Sequence, residues 1–260
     1  MRGRDIRQRL HDGRPVYATA LKSPSSELPE VVAAAGADFV FIDNEHTPIG
    51  RETLAWMCQT FAALGIPPVV RIASPDPWEA AKVLEGGGGG GIIGPYIETV
   101  EQVRGLAGAV RWAPIKGQRL DEVLRDPATL ELDARTYLEE RNQDALLILT
   151  IESTPALDCL DELLAVPGVD AVLIGPYDLS CSLGVPENYE HPRFVEVVQT
   201  VFRKARLHRV GAGVHYWPGV DEAIAWARAG GNMIMHPSEI TTFRRELFAN
   251  LGDLRSALGD

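Results

Sequence analysis

The sequence predicts an α/β fold, a (β/α)₈ or TIM barrel, because eight short apolar strands alternate with amphipathic helical stretches along the chain. Runs of Ile, Leu and Val bounded by turn residues are typical of strands that are buried on both faces. The length of 260 residues suits a single barrel domain spanning residues 1–260. The candidate strands are residues 16–21, 38–43, 68–72, 91–95, 145–151, 171–174, 210–214 and 232–235.

Three of the predicted helices have marked starts. Asp76 stands before a proline and a glutamate at the first and third helical positions, which is a typical N-terminal pattern. Thr99 begins a capping box, and Ser153 precedes a further helix that contains a proline in its first turn. A doubly wound sheet is the competing architecture, but no Rossmann glycine fingerprint follows the first strand. The barrel is therefore favoured.

The composition excludes several function classes. A net charge of −11 argues against a nucleic-acid partner or an anionic membrane surface, since both need a basic face. The first residues lack the apolar core of a signal peptide, and no apolar stretch is long enough to span a membrane. Cys58, Cys159 and Cys181 are widely spaced and form no metal-binding pattern. We therefore expect free thiols and a cytoplasmic location.

Two segments depart from the regular alternation. Six consecutive glycines at 86–91 precede the fourth strand, and a flexible helix-to-strand connection explains them better than a phosphate cradle. Residues 110–142 form a long excursion between strands four and five. Long loops after barrel strands are often functional, so this excursion is either a substrate-covering loop or a structural insertion.

Titratable side chains stand where the predicted strands end, which is the face that carries the active site in such barrels. Glu152 and Asp178 each end or follow an apolar strand, where a carboxylate is costly unless it is solvated, paired or bound to a metal. Two carboxylates completed by water and substrate oxygens suit Mg²⁺ or Mn²⁺, whereas zinc prefers more nitrogen or sulfur. The strand-end residues are Lys22, Asp43, Glu45, His46, Arg71, Tyr96, Glu152, Asp178, His215 and His236.

Each strand-end residue also has a purely structural explanation. His46 could be a histidine of a surface loop, and Glu152 could simply pair with Arg71. Asp178 could cap the helix that begins near Leu179. The combination of two acids, an arginine and a histidine at the same barrel face favours a metal-assisted active site.

Four short motifs occupy these strand ends: F-I-D-N-E-H ending at His46, P-V-V-R ending at Arg71, I-E-S around Glu152 and I-G-P-Y-D-L-S around Asp178. They resemble the signatures of the HpcH/HpaI aldolase/citrate lyase family and occur in the order of that family. The resemblance runs from about residue 15 to the C-terminus. The D-x-E-H and G-P-x-D-L-S elements together are more specific than either element alone.

The resemblance implies a class II, metal-dependent pyruvate aldolase that joins or separates pyruvate and an aldehyde through a metal-stabilised enolate. Glu152 and Asp178 would hold the divalent cation, Mg²⁺ or Mn²⁺ with Co²⁺ as a third candidate. His46 would be the general base, Arg71 would stabilise the enolate, and Glu85 would raise the basicity of the histidine. The residues implied to contact substrate are Thr150, Gly175, Pro176, Tyr177 and Asp178.

The sequence departs from the family pattern on the aldehyde side of the predicted pocket. Thr150 stands where many members have a glutamine that touches substrate, and Tyr177 replaces a smaller or more polar residue. Residues 235–238 replace an aspartate-bearing strand end, and Lys116 stands where other members have an arginine. The reaction type is therefore better supported than the identity of the aldehyde.

Four other activities compete with this interpretation. A Schiff-base aldolase would need a buried lysine, and only Lys22 lies near a catalytic strand end. A citrate-lyase-like CoA-ester lyase would need a basic nucleotide groove, and the sequence shows no arginine–lysine cluster. A decarboxylase of oxaloacetate-like acids would form the same enolate without the base. A protein that only binds a 2-oxo acid is the non-enzymatic alternative.

The C-terminal segment 237–260 predicts an amphipathic helix with an apolar stripe of Ile240, Phe243, Leu247, Leu251, Leu254 and Leu258. This stripe could cover the eighth strand of its own barrel. Relatives in the family exchange the last helix and form trimers of dimers, so the resemblance implies a homo-hexamer. The remaining expected partners are small molecules, a 2-oxo acid and an aldehyde.

Overall fold

Eight parallel strands close into a barrel in which each strand pairs with the next along the chain and β8 pairs with β1. The computed structural model describes residues 1–215 and 219–259. Each predicted strand agrees with the observed one to within one residue at either end, and the closed sheet excludes the doubly wound alternative. The strands are β1 Val16–Leu21, β2 Phe39–Asp43, β3 Pro68–Arg71, β4 Gly91–Gly94, β5 Leu146–Ile151, β6 Ala171–Ile174, β7 Gly211–Val214 and β8 Met233–His236.

The helices surround the barrel, and the three predicted helix starts are confirmed. The side chains of Asp76, Thr99 and Ser153 accept hydrogen bonds from backbone amides in the first turns that they cap. Within the described residues, no helix has both the length and the apolarity needed to cross a membrane. The helices are α1 Gly3–His11, α2 Leu28–Ala35, α3 Arg51–Ala63, α4 Pro77–Ala81, α5 Val100–Arg111, α6 Gly117–Arg125, α7 Leu132–Asn142, α8 Thr154–Asp158, α9 Leu160–Leu164, α10 Pro176–Ser182, α11 Pro192–Leu207, α12 Val220–Arg228 and α13 Glu239–Leu258.

The strands are buried on both faces, which explains why their sequences are continuous apolar runs without alternation. Every residue of β2 and β5 is buried, one face packing inside the barrel and the other under the helices. Interior and exterior side chains therefore both have to be apolar, except at the strand ends. There, Asp43, Arg71 and Thr150 are buried polar residues.

Helix α1 covers the N-terminal end of the barrel. Its side chains Ile6 and Leu10 are fully buried, and Leu10 lies against Gly211 at the start of β7. The side-chain amide of Asn232, just before β8, donates a 2.8 Å hydrogen bond to the carbonyl oxygen of Leu10. Because this end is covered, the C-terminal ends of the strands are where the barrel opens to solvent.

A buried ion cluster lies near the same N-terminal end. Asp170 is only 1% exposed and accepts hydrogen bonds from Arg7 Nε at 2.6 Å and Arg111 Nη2 at 2.5 Å. The backbone amide of Leu147 donates a third hydrogen bond of 2.8 Å to the same carboxylate. Burying this carboxylate is tolerated because each of its oxygens has a charged or amide donor.

The glycine run fills a narrow space between neighbouring elements. A Cβ at Gly91, the first residue of β4, would lie 2.7 Å from the backbone oxygen of Leu146 in β5. Gly88 has a φ of 74°, which a residue with a side chain adopts only with strain. The run 86–91 therefore connects a helix to a strand, as expected, but it packs closely against its neighbours at Gly91, whereas the sequence suggested a flexible connection.

The excursion between strands four and five is mostly helical, comprising α6, a short 3₁₀ turn and α7. A Cβ at Gly108 of α5 would lie 2.9 Å from Leu120 and 3.2 Å from Leu124, so α6 packs closely on α5 at the outside of the barrel. This arrangement favours the structural-insertion alternative over a loop that covers the substrate.

We predict that Asp170→Asn lowers the free energy of unfolding by about 3 kcal/mol, because it leaves two partly buried arginines without a counter-charge. The measurement is urea unfolding at fixed protein concentration. The exposed pair of Asp161 with Lys204, 2.8 Å apart, provides a matched control. Asp161→Asn should change the stability by less than about 1 kcal/mol, and equal losses in the two variants would contradict the assignment.

Candidate active site

A cavity of about 270 Å³ opens at the C-terminal end of the barrel. It brings together His46, Arg71, Glu152 and Asp178, the residues that the sequence predicted for the chemistry. These side chains converge because parallel strands place all their C-terminal ends at one face. The lining residues are Ala20, Lys22, His46, Arg71, Glu152, Gly175, Pro176, Tyr177, Asp178, Tyr189, His215, Pro237, Ser238 and Thr241.

Arg71 is held rigidly at the floor of the cavity. Its Nε and Nη2 atoms lie 3.1 and 2.9 Å from the two carboxylate oxygens of Asp43, and its Nη1 lies 3.1 Å from Glu45 Oε2. The guanidinium also lies over the ring of Phe41, 5.3 Å from its centroid. A guanidinium carries five N–H donors, so this arrangement leaves donors for a substrate oxygen.

Asp43 organises the turn that follows β2. Its Oδ1 accepts hydrogen bonds from the backbone amides of Glu45 and His46, each 3.2 Å long. Burial by itself would raise the pKa of Asp43, but the charge of Arg71 and the hydrogen bond from the His46 amide hold that pKa below its usual value. Asp43 therefore stays ionised and fixes both the arginine and the turn that carries His46.

Glu152 is a buried carboxyl, 4% exposed, in the residue after β5. Burial raises its pKa to about 7; the charge of Arg71 opposes this rise, while the charges of Glu45 and Asp178 add to it. The backbone amide of Tyr96 donates a 3.2 Å hydrogen bond to Oε2. A Cβ at Gly175 would lie 2.2 Å from Oε1, so only glycine leaves room for this side chain.

The donor set of Glu152 and Asp178 fits a hard divalent cation. Both carboxylates reach the cavity, and their mutual repulsion contributes to the raised pKa of Glu152. A cation between them would replace that repulsion with attraction. Across residues 1–215 and 219–259, no group of three or more metal-binding side chains is present, so water and substrate oxygens would complete the coordination.

Two histidines flank the cavity. The side chain of His46 is 57% exposed, and its Nε2 lies 3.6 Å from Glu45 Oε2. His215 packs edge-on against Phe41 with ring centroids 4.5 Å apart. Burial, followed by the charge of Arg71, lowers the pKa of His215 to about 3, so its ring is neutral at physiological pH. Of the two, His46 is the more exposed to solvent.

Two predicted site residues, Glu85 and Thr150, do not line this cavity. Glu85 faces a separate cavity of about 480 Å³ between α4, α5 and α6, where its carboxylate accepts a 2.7 Å hydrogen bond from Lys116 Nζ. Thr150 is buried, and its hydroxyl bonds to the backbone at the end of β4. The roles predicted for Glu85 and Thr150 stay predictions.

Four residues of the site had no assigned role in the aldolase interpretation of the sequence. Asp43 and Glu45 were recognised only as strand-end acids, although together they fix Arg71. Lys22 lines the cavity with its Nζ 3.5 Å from Asp43 Oδ2, and Glu239 accepts hydrogen bonds from the amides of Lys22 and Ser23. The signal for Asp43 and Glu45 was present in the spacing D-x-E-H at a strand end.

Comparisons with known proteins identify a family for this chain. The sequence profile of the HpcH/HpaI aldolase/citrate lyase family matches residues 21–244. A 2-keto-3-deoxy-L-rhamnonate aldolase from Shigella sonnei (strain Ss046) is 34% identical over 208 residues, which cover 80% of this chain and 77% of that protein.

Two solved structures share the fold over almost the whole chain. An HpcH/HpaI aldolase/citrate lyase family protein from Burkholderia cenocepacia J2315 superposes with a TM-score of 0.81 at 27% identity, covering 97% of this chain and 99% of that one. The citrate synthase SbnG superposes with a TM-score of 0.82 at 27% identity, covering 98% and 99%.

The family match includes every residue that lines the cavity except Ala20. It also spans Asp43 and Glu45, which hold Arg71 in place. From the extent of this match and the identity to a named aldolase, the chain belongs to the HpcH/HpaI aldolase/citrate lyase family and is a carbon–carbon lyase.

Proposed function

We propose that the chain is a metal-dependent class II aldolase that cleaves or forms 4-hydroxy-2-oxo acids, with pyruvate and an aldehyde as the two parts. The observation that carries this proposal is the buried Glu152 beside Asp178, in the same cavity as the fixed guanidinium of Arg71. The Shigella sonnei relative acts, by its name, on a 3-deoxy-2-oxo sugar acid. We propose a substrate of that class here.

Glu152 and Asp178 would hold the cation, Mg²⁺ or Mn²⁺ with Co²⁺ as a further candidate, because carboxylate oxygens suit hard divalent ions. When bound, such an ion supplies charge that polarises the 2-keto oxygen of the substrate. The Tyr96 amide and the close approach of Gly175 limit the directions that Glu152 can take. Backbone amides at Tyr177 and Asp178 would receive the substrate carboxylate.

His46 would take the proton from the hydroxyl on C4 of the substrate. The C3–C4 bond then breaks, its electrons move toward the 2-keto oxygen, and the aldehyde leaves. Glu45, with its Oε2 3.6 Å from His46 Nε2, would stabilise the imidazolium that forms. Glu85 was expected to raise the basicity of His46. Within one chain the carboxylate of Glu85 pairs with Lys116 instead, so this role has no support there.

Arg71 would stabilise the negative charge that develops on the 2-keto oxygen. Three of its nitrogens already contact Asp43 and Glu45, so the guanidinium does not have to reorganise during the reaction. Preorganised donors of this kind usually supply the largest part of the stabilisation of a transition state. Protonation of the enolate at C3 then gives pyruvate.

We propose further that α13 mediates assembly, and the homo-hexamer remains the expected form. No residue of α13 is buried, and the apolar side chains of its stripe are all exposed in one chain. A groove of about 210 Å³ lies between β1, β8, α12 and α13, lined by Tyr17, Val220 and Ile234 and, on α13, by Arg245. The exposure of the whole apolar stripe favours helix exchange over a helix that closes its own barrel with this face.

The first prediction of the proposed function concerns the cation. Exhaustive chelation should abolish aldolase activity, and Glu152→Ala or Asp178→Ala should remove tight divalent binding, because each variant removes one of two protein ligands. Mn²⁺ titration followed by electron paramagnetic resonance measures the binding directly. Glu196→Ala, on the exposed side of α11, is the control and should bind as the wild type. Full activity with a metal-free protein would disprove the metal dependence.

The second prediction separates His46 from Arg71. His46→Ala should slow aldol cleavage by roughly 10²–10⁴-fold and leave oxaloacetate decarboxylation comparatively intact, since decarboxylation needs no hydroxyl deprotonation. Arg71→Ala should impair both reactions, because both pass through the same enolate. Steady-state kinetics with the two substrates provides the measurement. Equal losses of both reactions in His46→Ala would rule out its role as general base.

The third prediction concerns assembly. Phe243→Glu combined with Leu251→Glu places charges in the exposed stripe and should dissociate the oligomer, as measured by light scattering at micromolar concentration. Ala249→Glu is the matched control, because it lies about 200° around the helix from Leu247 and should leave the assembly intact. A wild-type chain that is monomeric and active would contradict helix exchange.

A further inference from the structure

Thr150, near the end of β5, uses its hydroxyl entirely within the protein. Its Oγ1 donates a 3.0 Å hydrogen bond to the carbonyl oxygen of Gly94 at the end of β4. The same oxygen accepts a 2.9 Å hydrogen bond from the backbone amide of Tyr96. Thr150 is 1% exposed, so substrate has no access to its remaining lone pair.

These two bonds fix the backbone where the chain leaves β4. Tyr96 has a φ of 45°, a left-handed conformation that is uncommon for a residue with a side chain and has to be held by its surroundings. This conformation aims the amide of Tyr96 back at β5. There, the amide is shared between Thr150 Oγ1 at 2.9 Å and Glu152 Oε2 at 3.2 Å.

Two contacts therefore restrict the position of the Glu152 carboxylate. The Tyr96 amide holds Oε2, while the backbone at Gly175 lies so close to Oε1 that a Cβ there would come within 2.2 Å. Of these two constraints, the first depends on Thr150, because its hydroxyl bridges Gly94 and Tyr96. A change at Thr150 would release the amide and, through it, the carboxylate.

We propose that Thr150 is a positioning residue, which orients Glu152 toward the cation through the Tyr96 amide and does not itself contact substrate. This inference rests on the proposed function, since it requires Glu152 to be a ligand of the cation. It assigns to Thr150 a role different from substrate contact. Residues that orient a metal ligand from outside its coordination sphere typically affect metal affinity by 10- to 100-fold.

The test measures Mn²⁺ binding to the full chain without substrate, by electron paramagnetic resonance, together with the KM for pyruvate in aldol addition. Thr150→Val keeps the shape of the side chain and removes the hydroxyl. We expect it to weaken Mn²⁺ binding by roughly 10- to 100-fold. Thr150→Ser restores the hydroxyl and should bind Mn²⁺ within about 3-fold of the wild type. If Thr150→Val is insoluble, Thr150→Ala replaces it, because it removes the same hydroxyl and should weaken Mn²⁺ binding to the same extent.

Thr19→Val is the matched control. Thr19 is also a barrel-strand threonine, and its hydroxyl donates a 3.1 Å hydrogen bond to the carbonyl oxygen of Pro237 after the neighbouring strand β8. This bond does not involve Glu152, so Mn²⁺ binding should be unchanged in Thr19→Val. Thermal unfolding of all variants separates a general loss of stability from a specific loss of metal affinity.

The outcomes distinguish this inference from the proposed function. If the wild type binds Mn²⁺ and Thr150→Val binds it equally well with a raised KM for pyruvate, Thr150 contacts substrate and the positioning role is wrong. A loss of thermal stability with unchanged Mn²⁺ affinity would also overturn it. If the wild type binds no Mn²⁺ and has no aldolase activity, the proposed function itself fails, and the inference fails with it.

Discussion

The balance of charge at the mouth of the barrel is the constraint on which the site depends. Four carboxyl groups, those of Asp43, Glu45, Glu152 and Asp178, influence one another there, with Arg71 and Lys22 as the opposing charges. Arg71 contacts only the first two carboxylates, and Lys22 lies by Asp43. The excess charge therefore falls on Glu152 and Asp178. When all four carboxyl groups are ionised, the excess of two negative charges is the amount that one divalent cation neutralises.

The two ends of the barrel use buried carboxylates in opposite ways. At the N-terminal end, Asp170 has a donor for every oxygen from Arg7, Arg111 and the amide of Leu147, so its charge is fully compensated. At the C-terminal end, burial raises the pKa of Glu152 to about 7, so this carboxyl gains protons easily unless a cation is present. The compensated acid contributes stability, whereas the uncompensated acid is suited to binding a ligand.

The strands could be predicted closely because their apolar runs report burial on both faces, and burial on both faces follows from the closed parallel sheet. The meeting of His46, Arg71, Glu152 and Asp178 could be predicted for the same reason, since strand ends share one face of a barrel. Both results depend on periodicity and chain order alone, which the sequence contains.

Side-chain directions and loop packing could not be predicted in this way. The family resemblance implies that Thr150 contacts substrate, whereas in the structure its hydroxyl bonds to the backbone of Gly94 and Tyr96. Likewise, Glu85 lies in a π-helical turn, residues 82–86, that continues α4 and places its carboxylate beside Lys116, a residue of the long excursion. Such contacts depend on where a helix or loop lies relative to its neighbours, and no local pattern specifies that position.

The start of α13 connects the proposed assembly to the mouth of the barrel. Glu239, its first residue, accepts hydrogen bonds of 2.9 and 2.7 Å from the amides of Lys22 and Ser23, which follow β1 at the mouth. Lys22 itself lines the cavity and lies 3.5 Å from Asp43. If the exposed stripe of α13 is buried against a neighbouring subunit, that contact fixes α13. The first residue of α13, Glu239, in turn binds the backbone of Lys22 and Ser23. Assembly would then order one wall of the cavity, because the hydrogen bonds of Glu239 connect α13 to Lys22, which lines that wall.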